Sequence, residues 1–444
     1  MLRISKWAAA GLLLAAPALA NDRYENNLHA NVNYNGGRVT IDHRFGRVEV
    51  RTTRGDQVTV RGTVRASDEE IGRQIHFAVS HSDSGVSIRT IYPSIHIHGG
   101  EISYSADLEV NIPERAPLLL KNRFGSVDVS GLRAPGEVVN AQGSITFKDS
   151  RGAQKIENSF GSISVENSNG DTTVQNANGS VSIDTVQGNL TVADRFGSVS
   201  VKHAGKDVTI ENANGSVELI DTGGAAKIAN SFATVVVRTV NGSLDVTNQN
   251  GRVDVSDVKG PANIKSSFAS IDARKINGPA TITNANGNVT AMDIHGNLSV
   301  DTRFGLVKAE RIRGNLDVDN QNGGVTASDI NGDARVHTTF ASVFLKGVTG
   351  GLEVEDQNGT IAVSELRGGC NNISLRTTYA PIKVSLPANA KYNVEARTSY
   401  GSVNTDVPIT ISRKSENTLS GTIGGGGCKM ELVTSNGGIT ISQE

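Results

Sequence analysis

His96 and His98 stand two apart in the run Ile95-His96-Ile97-His98-Gly99. On a β-strand that spacing puts both rings on one face, where they could chelate one metal ion. No third ligand is identifiable nearby, so the run reads as a half-exposed strand and no metal site is assigned. Carboxylates are the next candidates. Asp149, Asp221, Asp257, Asp293, Asp329 and Glu365 share one phase of a long period, with Asp184 one place early. A glycosidase needs one pair of carboxylates at a set separation in a groove, one of them with a raised pKa. Here all recur equally, and Lys202, Arg238, Arg274 or Lys275, Arg311 and Lys346 fall between them, which describes a surface ladder. Asn212-Ala-Asn214-Gly and its relatives suggest calcium, but the Gly-Gly-x-Gly-x-Asp pattern of calcium-binding coils is absent, so they read as turn residues and inter-coil amide ladders. Serine-hydrolase and phosphate-loop motifs are missing, no cofactor is expected, and His203, His295 and His337 share no repeat phase. Sugar platforms are usually Trp or Tyr. The seven Tyr lie at position 104 or earlier, or at 379 and later, and the single Trp is Trp7, so the middle of the chain shows no evident sugar site.

The elements that would position such residues come from a repeat. Phe124, Phe160, Phe196, Phe232, Phe268, Phe304 and Phe340 step by 36 residues, nearly always within Phe-Gly/Ala-x-Val/Ile. Midway between them stand Asn178, Asn214, Asn250, Asn286, Asn322 and Asn358, each followed by Gly. The unit is therefore 18 residues, and a further Gly about halfway through it, as at Gly170, Gly188 and Gly242, divides it into two short strands and two turns. Alternation puts Val181 and Ile183, then Leu190 and Val192, on one face of their strands, a face that only stacked coils can bury. This predicts an all-β fold, a single-stranded β-solenoid (β-helix) with coils of about 18 residues in alternating pairs. The Phe and Asn series form a structural turn or core ladder within it.

A 36-residue coil of four strands is the alternative, and charge decides against it. It would stack the acidic phase on itself, like charge on like charge. In 18-residue coils the acidic and basic levels alternate, which removes the repulsion and pins register, although each exposed pair is worth only a fraction of a kcal/mol. About fourteen such coils fit between residues 116 and 369, a rod of roughly 65 Å at ~4.8 Å per level. Residues 21–115 have alternating stretches without a regular period and read as an irregular N-terminal β cap. Residues 370–444 read as looser coils and a C-terminal cap, since solenoids must cover their strand edges.

The first twenty residues, with Arg3 and Lys6 before an apolar run and Ala18-Leu19-Ala20 at its end, read as a secretory signal peptide. No later segment approaches the ~20 apolar residues of a membrane-spanning helix. A net charge of -2, from 43 basic and 45 acidic side chains, argues against nucleic acid as a partner. The two cysteines, Cys370 and Cys428, belong to a chain bound for an oxidising compartment, and a disulfide between them is preferred over free thiols.

The Gly-x-Val-x-Val repeats, the step Val110-Asn-Ile-Pro113, and the closing Gly421-Thr-Ile-Gly-Gly-Gly-Gly and Thr434-Ser-Asn-Gly-Gly-Ile-Thr-Ile441 resemble the bacterial "putative adhesin" β-strand-repeat domains of unknown function. The resemblance spans nearly the whole chain after residue 20. It implies a β-solenoid at the cell envelope, with adhesion by analogy and a link to envelope stress in some members, and it supplies no catalytic residue. The expectation is an exported, non-enzymatic protein, periplasmic, surface-held or secreted, that acts as a structural or binding scaffold for an envelope or surface ligand, protein or polysaccharide. Self-association through strand edges is a further idea, which the caps should oppose. The competing expectations are a carbohydrate-active enzyme with its site in a cap, or an envelope-stress sensor.

Overall fold

Each coil closes because its two strands bury opposite walls of one narrow core. In the computed structural model, which describes residues 24–94, 102–368 and 370–444, Leu190–Asp194 and Val199–Ala204 form one coil, and Leu190, Val192, Val199, Val201 and Ala204 are all buried. The next coil repeats this with Val208, Ile210, Val217 and Leu219. Four or five such side chains, each worth about 1.5–3 kcal/mol on burial, cannot offset the ordering of a whole coil alone. Stacking makes them one continuous core, in a solenoid of about 15 turns with 65% of residues in strands and one short helix.

The strands form two parallel sheets in register at 18 residues. In the first sheet Val181 pairs with Val199 and Val199 with Val217; in the second Leu190 pairs with Val208 and Val208 with Ala226. The first sheet departs from strict alternation at one point in every coil. Asp149, Asn167, Thr185, His203, Asp221, Thr239, Asp257, Lys275, Asp293, Arg311, Asp329 and Glu365 all have positive φ, with Gly131 and Gly347 at the same phase. That conformation suits Gly and is tolerated by Asp and Asn. It advances the inward face by three residues instead of two, so that Leu219 and Thr222 both point into the core around an exposed Asp221. Every neighbour carries the same kink, and pairing continues through it, as at Thr222 opposite Val240.

This kinked column is the acidic phase seen in the sequence. Asp257 meets Lys275 at 3.6 Å, Asp293 meets Arg311 at 2.5 Å, and Lys346 meets Glu365 at 2.9 Å. The sign therefore alternates between levels where these pairs form. Arg274 instead pairs with Asp272, and Arg367 reaches across Gly347 to Asp329. Lys202 and Arg238 make no ion pair among the described residues.

Both ends are threaded rather than simply irregular. At the N-terminal end the coil made of Arg38–Asp42 and Val48–Thr53 lies between the strands Gly85–Ile91 and Tyr104–Pro113 on one side and Leu118–Phe124 and Val127–Ser130 on the other. The antiparallel strands Tyr24–Asn33, Gln57–Ala66 and His76–Ser82 cover that end. At the C-terminal end Cys428–Val433 and Ile439–Gln443 slot between Ile373–Arg376 and Ile382–Leu386 below and Tyr392–Arg397 and Val403–Thr405 above. Thr418–Ile423 and Ile409–Lys414 then add antiparallel edges. Cys370 and Cys428 are joined as a disulfide, their Cα atoms 5.3 Å apart. Among the described residues no helix is long and apolar enough to cross a membrane. The signal-peptide reading of residues 1–20 and the His96/His98 run fall outside the described residues.

Candidate binding ridge

The turn that leads from the second sheet to the first is built on a buried polar corner. Asn122, Asn140, Asn158, Asn176, Asn212, Asn230, Asn248, Asn284 and Asn320 sit one above another inside it, buried among apolar neighbours. The Asn212 Nδ2 donates to the carbonyls of Gly197 and Gly215, at 3.1 and 3.0 Å, and Asn248 does the same to Ala233 and Gly251 at 3.0 and 2.9 Å. Most of these amides thus satisfy the turn carbonyls of their own coil and of the one before it, while Asn176 and Asn230 bond only those of their own. The glycines of this turn stack with no room to spare, since a Cβ on Gly143 would lie 2.2 Å from the Gly125 carbonyl oxygen.

Asp194 interrupts this corner and carries a prediction. It is buried at a phase that most coils fill with an amide and a few with Ser266, Thr302, Thr338 or Asp356, it donates nothing to Gly179 or Gly197, and neither of its oxygens makes a well-aligned hydrogen bond. Burial pushes its carboxyl above the ordinary 3.8, an effect partly offset by the backbone N–H groups of Arg195 and Gly197. A raised pKa means that the folded state is penalised while the carboxyl is ionised and relieved as pH falls through that value. D194N should therefore raise stability at pH 7 by about 1 kcal/mol, the size of a consensus substitution. The advantage should fade toward pH 3, and thermal melts at both values would show it; a variant less stable than the parent at pH 7 would contradict the amide-corner account.

Two residues after the buried corner comes the Phe series. It lies at the turn, as its spacing predicts, but outside the core: Phe160, Phe196, Phe232, Phe268, Phe304 and Phe340 are between 50% and 62% exposed, and Phe124 is half-buried. The core part of the ladder reading is thus corrected. The chain has already turned the corner at the buried Asn, so the next same-parity side chain swings out. The intervening Asn residues are in register with these rings, Phe232 opposite Asn250 and Asn250 opposite Phe268. Asn178, Asn214, Asn250, Asn286 and Asn358 each donate to a backbone carbonyl 19 residues earlier, at 3.0 to 3.5 Å. Asn322, at the same phase, is half-buried. The amides tie coil to coil through main-chain carbonyls rather than through one another.

The alternation continues where the chain order does not. Ile382 pairs with Ile439 and Ile439 with Val403, which places Tyr379, Asn436 and Tyr400 on successive levels at the phase of the Phe/Asn column. The outer edge of the turn therefore reads Phe340, Asn358, Tyr379, Asn436, Tyr400 in space, although Tyr400 precedes Asn436 in the chain. Tyr379 is 63% and Tyr400 84% exposed. At the other end Phe45 stacks on Phe124, ring centroids 5.1 Å apart, with Tyr92 and Tyr104 edge-on to Phe45. The sequence reading missed this ridge because it looked for sugar platforms among Trp and Tyr only; the signal was the unbroken 36-residue Phe step.

Chemistry of other kinds finds less support. The outer face of the second sheet has an open depression of about 920 Å³ that includes Arg335, Glu353 and Glu431. Glu353 pairs with Arg335 at 3.0 Å, and the Lys429 ammonium hydrogen-bonded to Glu431, with Arg376 nearby, holds the Glu431 carboxyl below its ordinary range. A general acid needs the opposite shift. The carboxyls that burial does raise, Asp194 and Asp356, stand nine coils apart, far beyond the separation of a catalytic pair. Among the described residues no group of three or more His, Cys, Asp or Glu is placed to hold a metal ion. His203 bonds Asp184 at 2.9 Å on the surface.

The family model of Toastrack DUF4097 matches residues 235–442. That match covers a little under half of the chain. The match starts at Val235, yet the register of the matched coils continues without change on the N-terminal side, where Val217 pairs with Val235 and Val199 with Val217. No curated protein matches the chain. Among solved structures, a "putative cell adhesion protein" from Clostridium sporogenes is 9% identical over 95% of this chain and 100% of that one, with a TM-score of 0.17. A "putative adhesin" from Bacteroides fragilis is 11% identical over 66% of this chain and 97% of that one, with a TM-score of 0.22. Superposition this slight carries no argument about this chain.

Proposed function

We propose that this protein is exported to the cell envelope and works without catalysis, as a rod that binds an extended ligand along its aromatic edge. The observation that carries the reading is the aromatic/Asn alternation preserved through the threaded C-terminal cap. A repeat that merely duplicated would keep its order along the chain. This one keeps its order in space, on side chains that face solvent and do little for the core. Large apolar groups left exposed in an ordered row along one edge mark an interaction surface. The signal-peptide character of residues 1–20 and the disulfide between Cys370 and Cys428 both fit an oxidising, extracytoplasmic location.

The test is co-sedimentation of the purified chain lacking residues 1–20 with isolated envelope fractions. The chain should be retained, and the variant F196S/F232S/F268S/F304S should lose most of that retention while keeping the parent's circular dichroism and melting. Equal retention of the folded variant would remove the ridge from the reading.

A further inference from the structure

The ridge has a period, and a period selects a ligand. From Phe124 to Tyr400 its aromatic rings recur at every second level, and at ~4.8 Å per level that is about 9.6 Å from ring to ring. A pair of proteins packing through such an edge would want a continuous apolar contact. Here each ring is instead separated from the next by an amide: Asn178 between Phe160 and Phe196, Asn214 between Phe196 and Phe232. Apolar faces at a fixed interval with hydrogen-bonding groups between them match a polymer whose own apolar faces recur at that interval with hydroxyls between. In an extended β-1,4-linked glycan successive sugars alternate in orientation, so every second ring turns the same face to one side, and its two-sugar repeat is close to the spacing of this ridge. Sugar rings stack on aromatic side chains through their C–H faces, while side-chain amides are suited to hydroxyls.

Charge narrows the class further. The four positions from the residue before each ring or Asn to the second residue after it carry no carboxylate in any regular coil from Arg123 to Thr360, in a chain with 45 Asp and Glu. The only ionised side chains in this stripe are Arg123, Arg195, Arg252 and Arg303, all exposed. Arg123, Arg195 and Arg303 each directly precede a Phe, and Arg195 and Arg303 have no carboxylate partner among the described residues. An edge with cations only is complementary to a polyanion.

We infer that the aromatic ridge binds an extended, carboxylate-bearing β-1,4-linked glycan, one Phe or Tyr to each disaccharide. This rests on the proposal that the ridge is a binding surface, and names what it binds. The probes are carboxymethylcellulose, which has both the linkage and the charge, and carboxymethyl-dextran, which has the charge on an α-linked, differently shaped chain. In affinity electrophoresis the protein should be retarded by the first and not by the second, with retardation weakened by salt and by R195Q/R303Q. The deciding variant is F232N/N250F, which exchanges a ring and an amide already present at this turn and so alters the spacing while conserving composition. It should fold like the parent and bind carboxymethylcellulose at least several-fold more weakly, and the four-Phe variant should bind roughly tenfold more weakly or worse. Equal retardation in both polymers, or an exchange variant that binds as well as the parent, overturns the inference. So does a Phe-dependent dimer in analytical ultracentrifugation with no polymer binding. Envelope retention that is lost after protease treatment but survives glycan cleavage would also overturn it, while leaving the ridge as a binding surface; failure of the four-Phe substitution to affect any retention would remove both.

Discussion

C370S/C428S, or reduction of the native protein, lowers the stability of the C-terminal region by about 4 kcal/mol in the chain-entropy model of a bridge that closes a loop of this length. The topology makes the loss larger in extent than a bridge usually implies. Among the described residues the strands Tyr392–Arg397 and Val403–Thr405 pair with the rod only through Cys428–Val433 and Ile439–Gln443, which separate them from Ile373–Arg376 and Ile382–Leu386. Cys428 begins that inserted coil and Cys370 precedes the strand beneath it, so the bridge fastens the insert to the level it rests on. Once the insert frays, everything from Tyr392 to Ile423 loses its ladder to the body. Hydrogen exchange should therefore show residues 392–443 losing protection together on reduction, while the coils from Leu118 to Glu355 keep theirs. Protection of the C-terminal strands that is indifferent to reductant would refute this account, as would two freely alkylated thiols in protein recovered from the periplasm.

The period, the coil length and the sign alternation were legible because each rests on identical residues at fixed steps. Lys275 beside Asp257 and Arg311 beside Asp293 are the pairs that an 18-residue coil requires and a 36-residue coil forbids. What alternation misjudged was the corner. Ala226, Ile228, Asn230 and Phe232 have one parity, so counting by twos sends Phe232 inward, yet it is Asn230 that fills the interior and bonds the turn, and the chain bends before Phe232. A polar side chain held at a fixed inner phase was the clue, and it is easily taken for an exposed turn residue. The positive-φ column was hidden for a different reason. Asp, Asn and Gly suit that conformation, but Thr185, His203, Lys275 and Arg311 adopt it because their neighbours above and below impose it. Threading of the caps joins segments distant in sequence; only the recurrence of Thr398-Ser-Tyr400-Gly and Thr434-Ser-Asn436-Gly hints that these two stretches share a level pattern.

Deletions of different length should separate the coil from the pair of coils, and both from the half coil. Removing residues 197–232 excises two levels and rejoins Phe196 to Ala233, which leaves the buried amide corner, the kinked column and the alternation of rings intact. A shorter rod with nearly the parent's melting temperature is expected, because stability in a stacked array is set by each unit and its nearest neighbours. Removing 197–214 keeps the interior in phase, since Asn212 and Asn230 occupy the same corner, but brings Phe196 next to Phe232 and shifts the alternation of charge by one level. Those side chains are exposed, so the added cost is about 1 kcal/mol or less: worse than the 36-residue deletion, yet folded. Removing nine residues, 197–205, is the severe case. It lays a strand of one sheet over the other, sets the kink at Asp221 against unkinked neighbours, and leaves turn carbonyls on either side without their amide donors, each a cost of ~1–3 kcal/mol on top of the broken ladder. Circular dichroism and thermal melts of the three variants should give that order. Failure of the 18-residue deletion to fold would mean that the paired coil, and not the single one, is the structural unit.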